Sequence, residues 1–196
     1  GTKIDPKRCY VGQLIVNRYD ALDENTAKEW VRKTENRFGG FDTLINCSGV
    51  LSRVPFLYEG DQKKEILQTM HINFFSVWEL CKLSWKNLSE SNNGRIITLV
   101  SMSGKRSKGD LAAYSSSKFA LMGLCQTIRN KGWNENIRVT AICPSWVNTK
   151  MSNKVDSINK YEMSQPKDIA DICSMLLQLP KQSVPFEVCI NCNLEI

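Results

Sequence analysis

Apolar and polar positions along this chain follow two rhythms. Short apolar, β-branched runs alternate with longer stretches in which apolar residues return every three or four positions. The runs 42–46, 96–100, 137–142 and 184–190 read as buried strands of a parallel sheet. An earlier run, 9–16 (CYVGQLIV), reads as a strand too. Helical spacing covers Glu24–Phe38, where Trp30, Val31 and Phe38 supply the apolar side and Gly39-Gly40 is the stop. It returns over 62–88, through Ile66, Met70, Phe74, Val77, Cys81, Trp85 and Leu88. A third helix runs from about Leu111 to Asn130, and a fourth from Pro166 to about Leu179. Strands that alternate with helices predict an α/β fold, a parallel sheet covered on both faces. Internal repeats and low-complexity linkers are missing from the sequence, so residues 1–196 are expected to form one domain.

Composition adds little to that picture. At 196 residues, 42% hydrophobic and 23% charged, the chain can build a sizeable core. No apolar run approaches the ~20 residues of a membrane helix, and no signal peptide is visible at residues 1–10. The net charge of +6 is spread out, apart from a small group at Lys105, Arg106 and Lys108 that is suited to steering an anion. Interleaved aromatics and a nucleic-acid motif are lacking, so neither nucleic acid nor membrane is an expected partner. Of the eight cysteines, Cys47, Cys125, Cys143, Cys173 and Cys189 lie in apolar runs, where a thiol behaves as a small hydrophobe. Cys189 and Cys192 form one C-x-x-C without a matching pair, and His71 is the sole histidine, so no metal site is expected. Reduced thiols in a cytoplasmic protein are the default.

Candidate chemistry lies between Arg95 and Lys118. Ser101 ends a strand, where ligands bind in open parallel sheets. Tyr114 and Lys118 are four apart near the start of a helix, hence on one side of it. A free tyrosine, with a pKa of ~10, is a poor acid–base group at neutral pH. A lysine ammonium beside it stabilises the phenolate. Tyr114 could then exchange a proton with a substrate oxygen that the Ser101 hydroxyl also holds. An ordinary surface pair would show the same spacing.

Four stretches in order sharpen this. Ser101, Tyr114 and Lys118 come after Ile45-Asn46-Cys47-Ser48-Gly49 and after Asn73 within HINFFS, and before Pro144-Ser145-Trp146-Val147-Asn148-Thr149. The set resembles the short-chain dehydrogenase/reductase family over nearly the whole chain. The resemblance implies a Rossmann-like doubly wound sheet. It implies an NAD(P)-dependent oxidoreductase that reduces a carbonyl or oxidises an alcohol, with NAD or NADP as cofactor. Ser101, Tyr114 and Lys118 would be catalytic, with Asn73 opening its helix ladder to support a proton relay. Asp20 would approach the adenine, and Asn46, Ser48 and Gly49 the adenosine ribose region. Tyr114, Lys118, Pro144, Val147 and Thr149 would hold the nicotinamide end. The resemblance also implies a homodimer or homotetramer built on the helices at 62–88 and 112–130, and a small-molecule substrate.

Departures from the family pattern are Cys47-Ser48 in place of Asn-Ala, and Ser145 in place of glycine. A positive φ at position 145 would disfavour serine. They point to the alternative, a catalytically silent binding or regulatory relative. The family's T-G-x-x-x-G-x-G run is also absent from these residues. The sequence opens at what matches the third strand of the family. The expectation is therefore an N-terminally incomplete domain, without its leading β-α-β-α portion, whose 42–46 strand lies at an exposed sheet edge.

Overall fold

Strands β2 (Gly94–Leu99) and β3 (Ile137–Pro144) lie side by side in the middle of a parallel sheet. In this computed structural model, which describes residues 12–153, 155 and 157–192, β1 (Thr43–Asn46) pairs outside β2 and β4 (Glu187–Ile190) outside β3. The β2 and β3 sequences are almost wholly apolar because both faces of these strands are covered. Side chains alternate between the faces. Ile96 and Val139 turn towards a core shared with Val31, Leu80 and Leu124, whereas Ile97 and Ile142 meet Cys173 and Leu176 on the other side. Each fully buried Ile or Leu of this kind contributes roughly 1.5–3 kcal/mol.

The helices that supply those cores begin and end where local chemistry directs. Helix α1 (Glu24–Phe38) is capped by Asp23, whose carboxylate accepts the Asn25 N–H at 3.0 Å. It ends at Gly39, whose φ of 77° is left-handed. The 62–88 stretch is helical as its spacing predicts but is divided. Helix α2 (Gln62–Met70) passes through a π turn, His71–Phe75, into α3 (Ser76–Glu90). Helix α4 (Ala112–Gly132) covers the same face as α1 and α3, and α5 (Pro166–Gln178) covers the opposite one.

β1 lies at an edge, as expected. Its Leu44 and Asn46 are buried under the helices, while Ile45 on the other face is 39% exposed. The strand expected at 9–16 is not formed over residues 12–16, which are irregular; residues 9–11 lie outside the described residues. An apolar run becomes a strand only when a neighbour takes its hydrogen bonds, and the described residues give this one none.

Candidate active site

The parallel sheet delivers the carboxyl ends of its strands to one rim, and a cleft of about 950 Å³ opens there. Ser48 and Gly49 follow β1, Ser101 follows β2, Pro144 ends β3, and Val147 and Thr149 follow it; all of them line the cleft. Tyr114 and Lys118 enter from the first turns of α4. Residues 100 positions apart in sequence thus meet because the strands are in parallel register.

Ser101 has an unusual backbone. Its φ of 138° and ψ of 157° fall in a region used almost only by glycine. Its Oγ accepts the Ser103 N–H at 3.1 Å and so caps the short 3₁₀ turn Met102–Gly104. The Ser101 side chain also acts on Tyr114, in the direction that favours the phenolate. Burial acts more strongly in the other direction, and the Tyr114 hydroxyl is held above its ordinary pKa. The lowering expected from Lys118 is thus outweighed by burial. The lysine is itself perturbed: burial brings it down to about 8. Its Nζ lies 5.8 Å from the centre of the Tyr114 ring and donates to the Leu99 carbonyl at 3.0 Å.

Asn73 does not line the cleft but sits directly behind it, fully buried in the π turn. Its Oδ1 accepts the Val50 N–H at 2.8 Å, and its Nδ2 donates to Val50 O at 3.0 Å and to Ser117 Oγ at 2.9 Å. Ser117 in turn donates to Tyr114 O at 2.7 Å. Sequence reasoning missed Ser117, although it lies three residues after Tyr114 on the buried face of α4. A Cβ built on Gly49 would lie 3.4 Å from Asn73 Oδ1 and 3.6 Å from Lys118 Nζ, so the backbone at Gly49 joins the two. Gly104 was missed as well. A Cβ there would lie 2.6 Å from Val100 Cγ1 and 2.8 Å from Lys118 O, so only glycine lets the loop pass this close to α4.

Two residues expected at the cofactor do not line this cleft. Asn46 is 4% exposed and points into the core, donating to Thr98 Oγ1 at 3.1 Å and to Cys81 Sγ. It shares the face of Leu44, two residues earlier on the same strand. Asp20 lies at a separate hollow of about 350 Å³ with Tyr19, His71 and Phe75. Its Oδ1 accepts the Leu22 N–H at 3.0 Å, a local turn contact. Ser145 is not in the left-handed region, so its loop has no need of the glycine it replaces. The Ser145 N–H donates to Ile190 O at 2.8 Å and ties the loop to β4. Two of the cysteines expected to be buried, Cys47 and Cys189, are exposed, and Cys47 faces the cleft.

The model of a known family, short chain dehydrogenase, matches residues 5–160. The chain belongs to that family, and its parallel α/β sheet is the Rossmann-like one. It is 34% identical to an agropine synthesis reductase of Rhizobium rhizogenes over 166 residues, 85% of this chain and 38% of that protein. It is 26% identical to carbonyl reductase family member 4 of Xenopus laevis over 176 residues, 87% of this chain and 74% of that one. A short chain dehydrogenase of Burkholderia cenocepacia, solved in complex with NADP, superposes with a TM-score of 0.76 at 20% identity, covering 89% of this chain and 68% of that one. The chain thus spans well under half the length of the agropine synthesis reductase it matches.

Proposed function

We propose that this protein is an NAD(P)-dependent oxidoreductase that reduces a small carbonyl compound or oxidises the corresponding alcohol. The observation that carries the reading is the convergence of Ser101, Tyr114 and Lys118 on one cleft at the rim of the sheet, with the Lys118 ammonium 5.8 Å from the centre of the Tyr114 ring. In reduction, Ser101 Oγ holds the substrate oxygen and Tyr114 gives it a proton; in oxidation the proton returns to Tyr114. Bound NADH or NADPH would supply the hydride in reduction, and NAD⁺ or NADP⁺ would take it up in oxidation. Lys118 uses one of its three donors on Leu99 O, and its ammonium suits the hydroxyls of a nicotinamide ribose. Pro144, Val147 and Thr149 line the cleft where a carboxamide would lie. Asn73 acts through others: its three hydrogen bonds fix Val50 and Ser117, and through Ser117 the first turn of α4. The nicotinamide end therefore fits the described cleft, whereas Asp20 and Asn46 do not reach it.

The test is NAD(P)H consumption by the full-length protein with a panel of aldehydes and ketones, beside a nucleotide-binding titration. Turnover supports the reading. Nucleotide binding without turnover on any carbonyl favours a silent binding relative.

We further propose that the protein acts in the cytoplasm as a homodimer or homotetramer through α2, α3 and α4. Among the described residues no helix is long and apolar enough to cross a membrane. Phe75 at the end of the π turn, Trp78 on α3 and Phe119 on α4 are 52%, 50% and 46% exposed. Phe74 stacks edge-on against Phe75 and Trp78 at 4.9 and 5.6 Å, forming one aromatic patch. Sedimentation should give at least a dimer at micromolar concentration, and Trp78→Glu with Phe119→Glu should dissociate it. A monomeric parent protein would overturn the assembly.

A further inference from the structure

The parallel register of β3 and β4 sets Cys143 directly beside Cys189. Glu187, two residues before Cys189 on the same strand, presents its carboxylate on the same face. The two sulfurs and a carboxylate oxygen all lie within 4.8 Å of one another, the one such group among the described residues. One hydrogen bond already links two of them: the Cys189 thiol donates to Glu187 Oε1 at 3.0 Å. Lys105 Nζ holds the other carboxylate oxygen at 2.9 Å, so a cation already sits at the outer end.

We propose that Cys143, Glu187 and Cys189 form a site for a thiophilic divalent cation of the zinc type. Two thiolates and a carboxylate suit such an ion, with the fourth position left to water. Zinc holds sulfur at about 2.3 Å and carboxylate oxygen at about 2.0–2.2 Å, which places tetrahedral ligands about 3.5–3.8 Å apart. The observed spacing closes to that by rotating Cys189 and Glu187, which lie on the outer strand of the described sheet and are not buried. Both cysteines are free thiols in this structure. Binding is balanced as two thiol protons released for one divalent cation, with Glu187 already ionised and Lys105 displaced to solvent. The C-x-x-C of Cys189 and Cys192 contributes only its first member, because the Cys192 thiol turns to Ser145 Oγ.

The test is titration of the reduced full-length protein with Co²⁺, followed by displacement with Zn²⁺. One equivalent should give the thiolate-to-cobalt charge-transfer absorption of a site with sulfur ligands, and Zn²⁺ should abolish it. Cys189→Ser, at an exposed position, should remove the absorption while the circular dichroism stays that of the parent. Glu187→Gln should weaken Co²⁺ binding by at least about tenfold, since losing even an outer contact of a metal ligand costs ~10–100-fold. Cys47→Ser and Cys192→Ser should leave it unchanged. Absence of the band, or a band that survives Cys189→Ser, overturns the assignment whatever the protein does with NAD(P)H.

Discussion

The Lys118 ammonium lies 5.8 Å from the centre of the Tyr114 ring and is anchored at 3.0 Å to the Leu99 carbonyl, at the end of the strand that delivers Ser101. Strand end and helix start are thereby tied together at the rim of the sheet. Tyr114→Phe keeps the ring under this ammonium and removes the exchangeable proton. Turnover should fall by ~10²–10⁴-fold with nucleotide affinity little changed. Lys118→Met should lower both, because the ammonium is proposed to hold the ribose as well. Steady-state rates beside a binding titration separate the two, and a Tyr114→Phe enzyme with the parent's rate sinks the proton-transfer role.

Burial of Lys118 also sets a pH dependence of stability. Its pKa is about 8 in the fold, against an ordinary value of ~10.5 unfolded. Below pH 8 both states are charged, and the fold bears the full penalty of burying the charge, of order 3 kcal/mol at 1.36 kcal/mol per pKa unit. Between pH 8 and 10.5 the unfolded chain binds more protons, so stability rises with pH. Urea unfolding of the parent and of Lys118→Met at pH 7, 8, 9 and 9.5 isolates the lysine, since other groups cancel in the difference. The parent should gain on the variant over the upper half of that range. A difference that stays flat with pH would mean that the ammonium is better solvated than its burial implies.

Ser101 carries strain that the sequence could not announce. Its backbone conformation costs roughly 1–3 kcal/mol for a residue with a Cβ, while glycine loses about 0.5–1 kcal/mol through its freer unfolded state. Ser101→Gly should therefore be more stable than the parent by about 1 kcal/mol and catalytically impaired. Ser101→Ala should be impaired without that gain, because the strain remains. Denaturation midpoints for the three proteins decide it; Ser101→Gly less stable than Ser101→Ala would show that the backbone is unstrained.

Much of this arrangement is written in local spacing. The period of four that places Tyr114 over Lys118, and the short run that ends at Ser101, fix three groups at one rim once the strands are parallel. The alternation of β1 also places Asn46 in the core with Leu44. What could not be read depends on contacts between distant segments. Cys143 meets Cys189 only through the register of β3 on β4, Ser117 meets Asn73 only because α2 and α4 pack across the π turn, and residues 12–16 stay irregular for want of a neighbour.

Gly104 shows the same dependence and yields the last prediction. The 3₁₀ turn after Ser101 presses against the first turns of α4, and a methyl at Gly104 would fall 2.8 Å from the Lys118 carbonyl and 2.6 Å from Val100 Cγ1. Val100 can rotate, but the helix backbone cannot yield without carrying Lys118 and Tyr114 with it. Overpacking of this kind costs about 1–3 kcal/mol. Gly104→Ala should accordingly lose stability in that range and, at temperatures where it is still folded, lose rate as well, because the Ser101–Tyr114 separation is no longer held. Gly109, whose added Cβ would meet nothing within 4 Å but whose φ is 62°, provides the control. Gly109→Ala should show only the roughly 1 kcal/mol of a left-handed alanine, with turnover near that of the parent. Equal losses of rate at the two positions would assign the effect to loop mobility and not to the contact between Gly104 and α4.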